Sequence, residues 1–309
     1  MTITSPDVIT TLNSIRDYIR WGASRFAEHN VFLGHGTLTP LDEAAAIVLH
    51  TLNQPYDLAD SYLDSVLTMP ERQAVLTLIE RRIRERKPSA YLTNEALFAG
   101  LSFYVDERVL VPRSPIAELI AERFEPWADE DRVFNILDLC TGSACIAIAC
   151  AYAFPDAQVD AVELSDDALV VAAINVDKHD LAEQVTLYQS DLFAELPRKP
   201  YDIIVSNPPY VAISEWENLP AEFHAEPEMG FTGGDSGLDL VIRILADAKR
   251  YLAEQGILIV EVGSSAETLQ ELFPNVPFQW LEFERGGDGV FLLTAQQVND
   301  YHSLFASAV

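Results

Sequence analysis

Asn207-Pro-Pro-Tyr210 follows directly on a strand-like run from Tyr201 to Val205. Two consecutive prolines cannot extend a ladder, so Pro208 and Pro209 fix a rigid turn at the strand's C-terminal end, where open α/β sheets place their ligands. The residue types suit a planar NH₂ acceptor. Such a nitrogen is a poor nucleophile because its lone pair is delocalised, and two fixed oxygens that accept both of its N–H groups improve it. The Asn207 side-chain carbonyl and the Pro208 backbone carbonyl are two such oxygens, and proline has no N–H of its own to compete. Tyr210 adds a face that stacks on a planar group and, with other aromatic faces, attracts a cationic donor. The bland alternative is a proline turn with no role.

Asp138-Leu-Cys-Thr-Gly-Ser-Ala144 runs from an apolar strand into an apolar helix. A glycine-containing turn of this kind lets a ligand approach the backbone and the helix N–H groups closely. With Gly142 in place of three glycines it departs from the dinucleotide fingerprint, and an ordinary tight turn is its plain alternative. Glu163 stands 25 residues after Asp138, at the tip of the next strand, where a carboxylate accepts hydrogen bonds from both ribose hydroxyls. One strand further on, Asp191 is placed to accept from an adenine amino group and Leu192 to pack on the ring. Each acid taken singly is as readily a helix cap, as Asp166 or Asp167 must be. Three strand ends in a row point to an adenosine.

The elements that must position these residues alternate. The apolar pattern predicts strands at 133–139, 158–162, 185–189, 201–205 and 257–262, with helices at 145–154, 166–179 and 238–252. That alternation specifies a doubly wound parallel sheet with helices on both faces, an α/β fold. Strand candidates at 278–283 and 289–294 are joined by only five residues, which forces an antiparallel edge hairpin. Ahead of the sheet, residues 8–26, 41–52 and 74–83 have helical spacing, with Pro40 and Pro70 where helices would begin. The expected domains are a helical N-terminal domain over 1–95, a β-hairpin linker around Gly100 over 96–112, and an α/β domain over 113–309. Arg81, Arg82, Arg84, Arg86 and Lys87 read as a solvated helix end rather than a nucleic-acid patch.

The formal charge of −28 is unevenly spread. Residues 1–95 carry 9 Lys and Arg against 12 Asp and Glu, a balance of −3, and residues 96–309 carry 11 against 36, a balance of −25. Between Arg132 and Arg198 the only Lys or Arg is Lys178. Nucleic-acid binding depends on Lys and Arg displacing counterions, so no stable nucleic-acid partner is expected. An acidic surface for solubility or a salty habitat fits this charge as well as a surface built for a basic partner does. Met1–Ser5 has no charged n-region, and no apolar run approaches the roughly 20 residues of a membrane helix, so a soluble cytoplasmic protein with no membrane partner is expected. Cys140, Cys145 and Cys150 lack the close pairing of a zinc site and read as small buried apolar residues, with no metal expected.

Together these residues resemble the class I S-adenosylmethionine methyltransferases of the Asn-Pro-Pro-Tyr kind, and within them the protein-glutamine N5-methyltransferases. The resemblance runs from Arg86-Lys-Pro-Ser-Ala-Tyr-Leu through Phe98, Gly100, Phe103 and Val109-Leu-Val-Pro-Arg-Ser-Pro to Gly234-Asp-Ser-Gly-Leu-Asp239 and Glu261-Val-Gly. Pro112-Arg-Ser-Pro-Ile-Ala-Glu118 and Tyr91-Leu-Thr-Asn-Glu-Ala are similar to the branch that methylates the third protein of the large ribosomal subunit, where the release-factor branch usually reads Pro-Arg-Pro-Asp-Thr-Glu. The resemblance implies a class I methyltransferase fold, S-adenosylmethionine as cofactor and a basic protein substrate. It places the cofactor loop on Cys140, Thr141, Gly142, Ser143 and Ala144, the ribose acid on Glu163, and the acceptor clamp on Asn207, Pro208, Pro209 and Tyr210, with Asn207 also near the cofactor. Ala144 stands where glycine is common and Glu163 where aspartate is. A release-factor enzyme, a nucleic-acid amino-methyltransferase acting on a flipped base, and a binding-only protein that keeps the fold remain the alternatives.

Overall fold

The computed structural model describes residues 7–309, so the reading of Met1–Ser5 lies outside the described residues. The chain divides into two compact units. One comprises Met1–Ala96, Val105–Glu107 and Pro220–Ala225; the other comprises Leu97–Tyr104, Arg108–Leu219 and Glu226–Val309.

The first unit is helical. The expected helix over 8–26 is broken in two, Val8–Thr11 and Ile15–Glu28, because Ser14 and Asp17 form a capping box that starts a new helix: Ser14 Oγ accepts from the Asp17 N–H and the Asp17 carboxylate from the Ser14 N–H. Thr39 caps Pro40–Thr51, with proline at its first position. The third long helix, Met69–Glu85, begins one residue before Pro70, where the sequence puts a helix start, and Thr68 and Glu71 make a second capping box there. Tyr18, Phe26, Ile47, Val48, Val75 and Ile79 face one another in its core.

The basic cluster is not a uniformly solvated helix end. Arg84 is exposed and Arg81 half-buried, but Arg82 is only 1 % exposed and its Nε donates to Glu43 Oε1 at 2.5 Å. Arg86 Nε pairs with Glu222 Oε1 at 2.8 Å, and Glu222 is fully buried within this unit. A buried cation needs a buried anion, and the spacing along one helix cannot show an acid 39 or more residues away.

The second unit holds a sheet of seven strands. After a two-stranded hairpin, β1 (Ala96–Phe98) and β2 (Leu101–Phe103), come β3 (Asn135–Leu139), β4 (Gln158–Glu163), β5 (Val185–Gln189), β6 (Tyr201–Ser206), β7 (Leu252–Glu261), β8 (Gln279–Leu281) and β9 (Val290–Thr294). The order is β5-β4-β3-β6-β7-β9-β8, parallel through β7 and antiparallel at β9 and β8. The expected doubly wound sheet and its antiparallel edge are therefore as read. Order reverses at β3, so β4 and β6 flank it and their C-terminal ends share one crevice.

Several boundaries differ. Val133 and Phe134 lie outside β3, because the N–H groups of Phe134 and Asn135 donate to the Asp202 carboxylate (2.8 and 2.9 Å), which caps the strand's start. The helix expected over 238–252 ends at Ala248, and Leu252 already pairs with Tyr201 in β7 across a register irregularity. Helix Ala295–Ala306 was not expected; Thr294 and Gln297 form its capping box, and Val298 and Phe305 enter the sheet's core. Cys145 and Cys150 are buried and Cys140 half-buried, none in a disulfide, and burial pushes the Cys145 thiol up to about 12. No described helix is long and apolar enough to cross a membrane.

Candidate active site

The turn leaving β3 is wound by three residues in the left-handed region: Cys140 (φ 59°), Gly142 (φ 56°) and Ala144 (φ 64°). Alanine adopts that conformation at a cost of about 1 kcal/mol, which a glycine would not incur. Asp138 braces the turn from inside. Its Oδ2 accepts from Thr141 Oγ1 at 2.5 Å and from the Ala147 N–H at 3.1 Å, in the first turn of helix Cys145–Ala153. The carboxylate is fully buried, and its Oδ1 has no partner among the described residues. Desolvation pushes its pKa up to about 7, against the pull of the Thr141 and Ala147 hydrogen bonds.

Glu163, half-buried at the end of β4, reaches the same turn. Its Oε2 accepts from the Gly142 N–H at 2.9 Å, and Oε1 from the N–H groups of Leu164 and Ser165 at 2.9 and 3.0 Å. Asp138, Thr141, Gly142 and Glu163 are thus one hydrogen-bonded group. The end of β5 leads into Asp191 and Leu192. Asp191 is exposed but engaged by Arg243 Nη2 at 2.8 Å, and the Leu192 side chain packs into the core below the sheet's end, its backbone left-handed at φ 53°.

At the end of β6, Ser206 Oγ donates to the Leu139 carbonyl at 2.8 Å, which ties that strand's exit to the turn after β3. Asn207 follows, half-buried, and no described residue hydrogen-bonds its carboxamide. Pro208 is buried; Pro209 and Tyr210 are half-buried. Tyr210 is held at both ends: Oη donates to Glu261 Oε1 at 2.8 Å, and the backbone carbonyl accepts from Ser265 Oγ at 2.9 Å. Glycine is required beside it. A Cβ on Gly263 would lie 2.5 Å from the Tyr210 ring, and one on Gly237 2.2 Å from the Tyr210 carbonyl oxygen.

Two further braces were not read from the sequence. Asn175 is fully buried on helix Asp166–Lys178; its Nδ2 donates to the Ser143 carbonyl (2.9 Å) and the Tyr104 carbonyl (2.9 Å), and its Oδ1 accepts from the Tyr104 N–H (2.7 Å). It fastens the turn after β3 to the residue following β2. A lone asparagine in Val-Val-Ala-Ala-Ile-Asn-Val was the available signal, since a polar group there must find buried partners. Arg113 forms a two-pronged pair with the fully buried Glu226 (2.9 and 3.1 Å), and the Val111 N–H donates to the same carboxylate at 2.8 Å. The pairing joins segment 109–115 to the residues after Tyr210 across 113 residues of sequence.

The arrangement suits a nucleoside-bearing cofactor against the ends of β3 and β4. The left-handed turn exposes backbone, Glu163 stands at the strand tip, and the orphaned Asp138 oxygen awaits a donor. Beside it, Asn207 and Pro208 offer acceptors to a planar NH₂.

Residues 117–224 match the family described as Methyltransferase small domain. Over 300 residues the chain is 46 % identical to the ribosomal protein uL3 glutamine methyltransferase of Francisella tularensis subsp. tularensis, covering 97 % of this chain and 96 % of that one. It is 50 % identical over 287 residues to the protein of the same name from Xanthomonas campestris pv. campestris, covering 93 % of each. Among solved structures, the hMettl16 catalytic domain in complex with MAT2A 3′UTR hairpin 6 superposes with a TM-score of 0.50 at 20 % identity, over 73 % of this chain and 81 % of that one, a likeness of fold alone.

Proposed function

The chain belongs to the ribosomal protein uL3 glutamine methyltransferases, and from that premise we propose that it methylates the side-chain amide nitrogen of one glutamine in uL3, with S-adenosylmethionine as the donor. The observation that carries the reading is the uncommitted Asn207 carboxamide at the end of β6, beside a turn braced by Asp138 and Glu163. The class I methyltransferase fold agrees with it.

Cys140 to Ala144 would hold the cofactor through backbone groups, Glu163 through the ribose hydroxyls, and the orphaned Asp138 oxygen through a donor of the amino-acid part. When bound, S-adenosylmethionine supplies a methyl group made electrophilic by the sulfonium sulfur that carries it. Asn207 Oδ1 and the Pro208 carbonyl each accept one N–H of the glutamine amide, which fixes the nitrogen's orientation and draws lone-pair density onto it. No general base is needed before attack, because the nitrogen becomes more acidic as it gains the methyl group and its proton leaves late, to Asn207 or to water. Glutamate has no N–H to donate and is not held. Tyr210 stacks on the planar amide.

The substrate is basic, as ribosomal proteins are, and the −25 of residues 96–309 speeds its encounter in a salt-sensitive way. The helical unit helps to select the protein, the reaction takes place in the cytoplasm before or during ribosome assembly, and neither nucleic acid nor membrane takes part. The test is incubation of the purified protein with labelled S-adenosylmethionine and, separately, uL3, a release factor and ribosomal RNA. Label on one glutamine of uL3 is expected. Label confined to the release factor moves the chain to the sister branch, and label in RNA alone overturns the acceptor.

A further inference from the structure

The acceptor clamp leaves one buried ionisable group beside it unexplained. Glu261, the last residue of β7, is 5 % exposed and sits opposite Val290 in the ladder with β9. Burying a carboxylate there costs several kcal/mol unless it is fully hydrogen-bonded. Both its oxygens are taken by hydroxyls from distant parts of the chain: Tyr210 Oη donates to Oε1 at 2.8 Å and Ser114 Oγ donates to Oε2 at 2.5 Å. Ser114 is itself buried and fixed, its Oγ accepting from the Ile116 N–H at 3.2 Å.

We propose that Glu261, held by Ser114, is a positioning residue of the methyl-transfer site: it locks the Tyr210 hydroxyl, and through it the ring that faces the glutamine amide. This rests on the reading of Asn207 to Tyr210 as the acceptor clamp and extends it to two residues with no assigned part.

The geometry defines what the lock does. A tyrosine ring turns about χ1 and χ2, and a ring free to swing would stack on the amide only part of the time. Two contacts remove that freedom. The hydroxyl is tied to Glu261, and the ring's hydroxyl-bearing edge lies against Gly263, where a Cβ would fall 2.5 Å from it, while Ser265 fixes the backbone carbonyl from which the side chain departs. An ionised carboxylate accepts from the Ser114 and Tyr210 hydroxyls together. Desolvation raises the Glu261 pKa, and the Ser114 and Tyr210 hydrogen bonds and the nearby Arg113 charge work against it. The ionised form thus depends on both hydroxyls being present. A carboxylate aimed at the cofactor would instead leave an oxygen open toward the turn after β3.

The experiment is a double-mutant cycle on single-turnover methyl transfer to uL3, with S-adenosylmethionine affinity and melting temperature measured on every variant. Tyr210→Phe and Glu261→Ala are each expected to slow transfer about tenfold or more, since a small misplacement of a reacting group is costly. The double variant is expected to be no slower than the worse single, because both break the same link. Cofactor affinity should stay within about threefold. Glu261→Gln, which still accepts from the Tyr210 hydroxyl and lets Ser114 turn to accept, should recover most of the rate, and it keeps the test available if Glu261→Ala fails to fold. Additive losses, or a Tyr210→Phe variant at the parent rate, overturn the inference while leaving the clamp intact. Parent-rate transfer in Asn207→Ala would instead remove the clamp reading on which it rests.

Discussion

Replacing Glu163 with alanine would remove a carboxylate that both faces the proposed ribose position and braces the turn after β3. As a ribose ligand alone, its loss would cost the cofactor one or two hydrogen bonds to a charged group, about 1.5–3 kcal/mol, or about 10- to 150-fold in Kd. The structure adds a second duty, because its carboxylate already accepts from three backbone N–H groups, one of them Gly142 in the turn after β3. Glu163→Ala therefore frees the turn as well as the ribose. Glu163 is only half-buried, so water replaces part of the loss, and the stability cost is about 1–2 kcal/mol, a fall of roughly 2–8 °C in Tm for a unit of this size. Glu163→Gln separates the two duties from burial. Its carbonyl oxygen serves Leu164 and Ser165, but its NH₂ then faces the Gly142 N–H, donor against donor. Gln should consequently bind S-adenosylmethionine no better than Ala, although it is the closer isostere. Glu163→Asp is one methylene shorter and should keep affinity within about tenfold by giving up one set of backbone bonds. Titration calorimetry on the three variants, with a melting curve for each, is the assay. Parent affinity in folded Glu163→Ala would remove the ribose assignment, and parent affinity in Glu163→Gln would show that the Gly142 bond plays no part.

Asn207→Ala should cut single-turnover methyl transfer by at least about a hundredfold, the scale of losing one oriented polar group in an active site, with cofactor affinity nearly unchanged by calorimetry. Asp138 predicts a pH dependence: its folded pKa of about 7 lies above the ordinary 3.8. The native state therefore holds the proton more tightly, and stability from this group is full below pH 4 and lost as pH rises to 7. Asp138→Asn carries no charge to penalise, so urea midpoints should favour it over the parent increasingly from pH 5 to pH 8, by up to about 4 kcal/mol before relaxation; a pH-independent difference would contradict this. In the helical unit, Arg82→Ala leaves Glu43 buried without its partner and should destabilise by about 3–5 kcal/mol, read as a lower urea midpoint, whereas Arg84→Ala on the exposed side should change it by less than about 0.5 kcal/mol.

The sheet was legible because its strands are short apolar runs separated by helix-length amphipathic stretches, and β5 has both of its expected ends. Motifs at strand ends were legible for the same reason, since Asp138, Glu163 and Asn207 each terminate a readable run. Contacts between segments far apart in sequence were not. Ser114 and Glu261 are 147 residues apart, and only the ladder between β7 and β9 and the fold of segment 109–115 bring them together. Arg82 shows the same limit from the other side: a basic residue at the end of a basic helix carries no local mark of burial. Asn175 was visible as an oddity but not as a brace, because its partners, Ser143 and Tyr104, lie 32 and 71 residues away.

The allotment of Pro220–Ala225 to the helical unit bears on how the gene could be cut. The chain enters the helical unit a third time after Tyr210, and there Glu222, fully buried, meets Arg86 and accepts from the Phe32 N–H at 3.0 Å. A fragment beginning at residue 97 would carry that acid with Phe32, Arg82 and Arg86 deleted, so six residues of the segment that follows the Asn207–Tyr210 turn would lose their packing. The two units are thus not interchangeable modules. Recombination that swaps the N-terminal part between paralogues must carry the 220–225 segment with it, and a chimera made at a single junction near residue 96 is expected to be poorly soluble until that segment is exchanged as well.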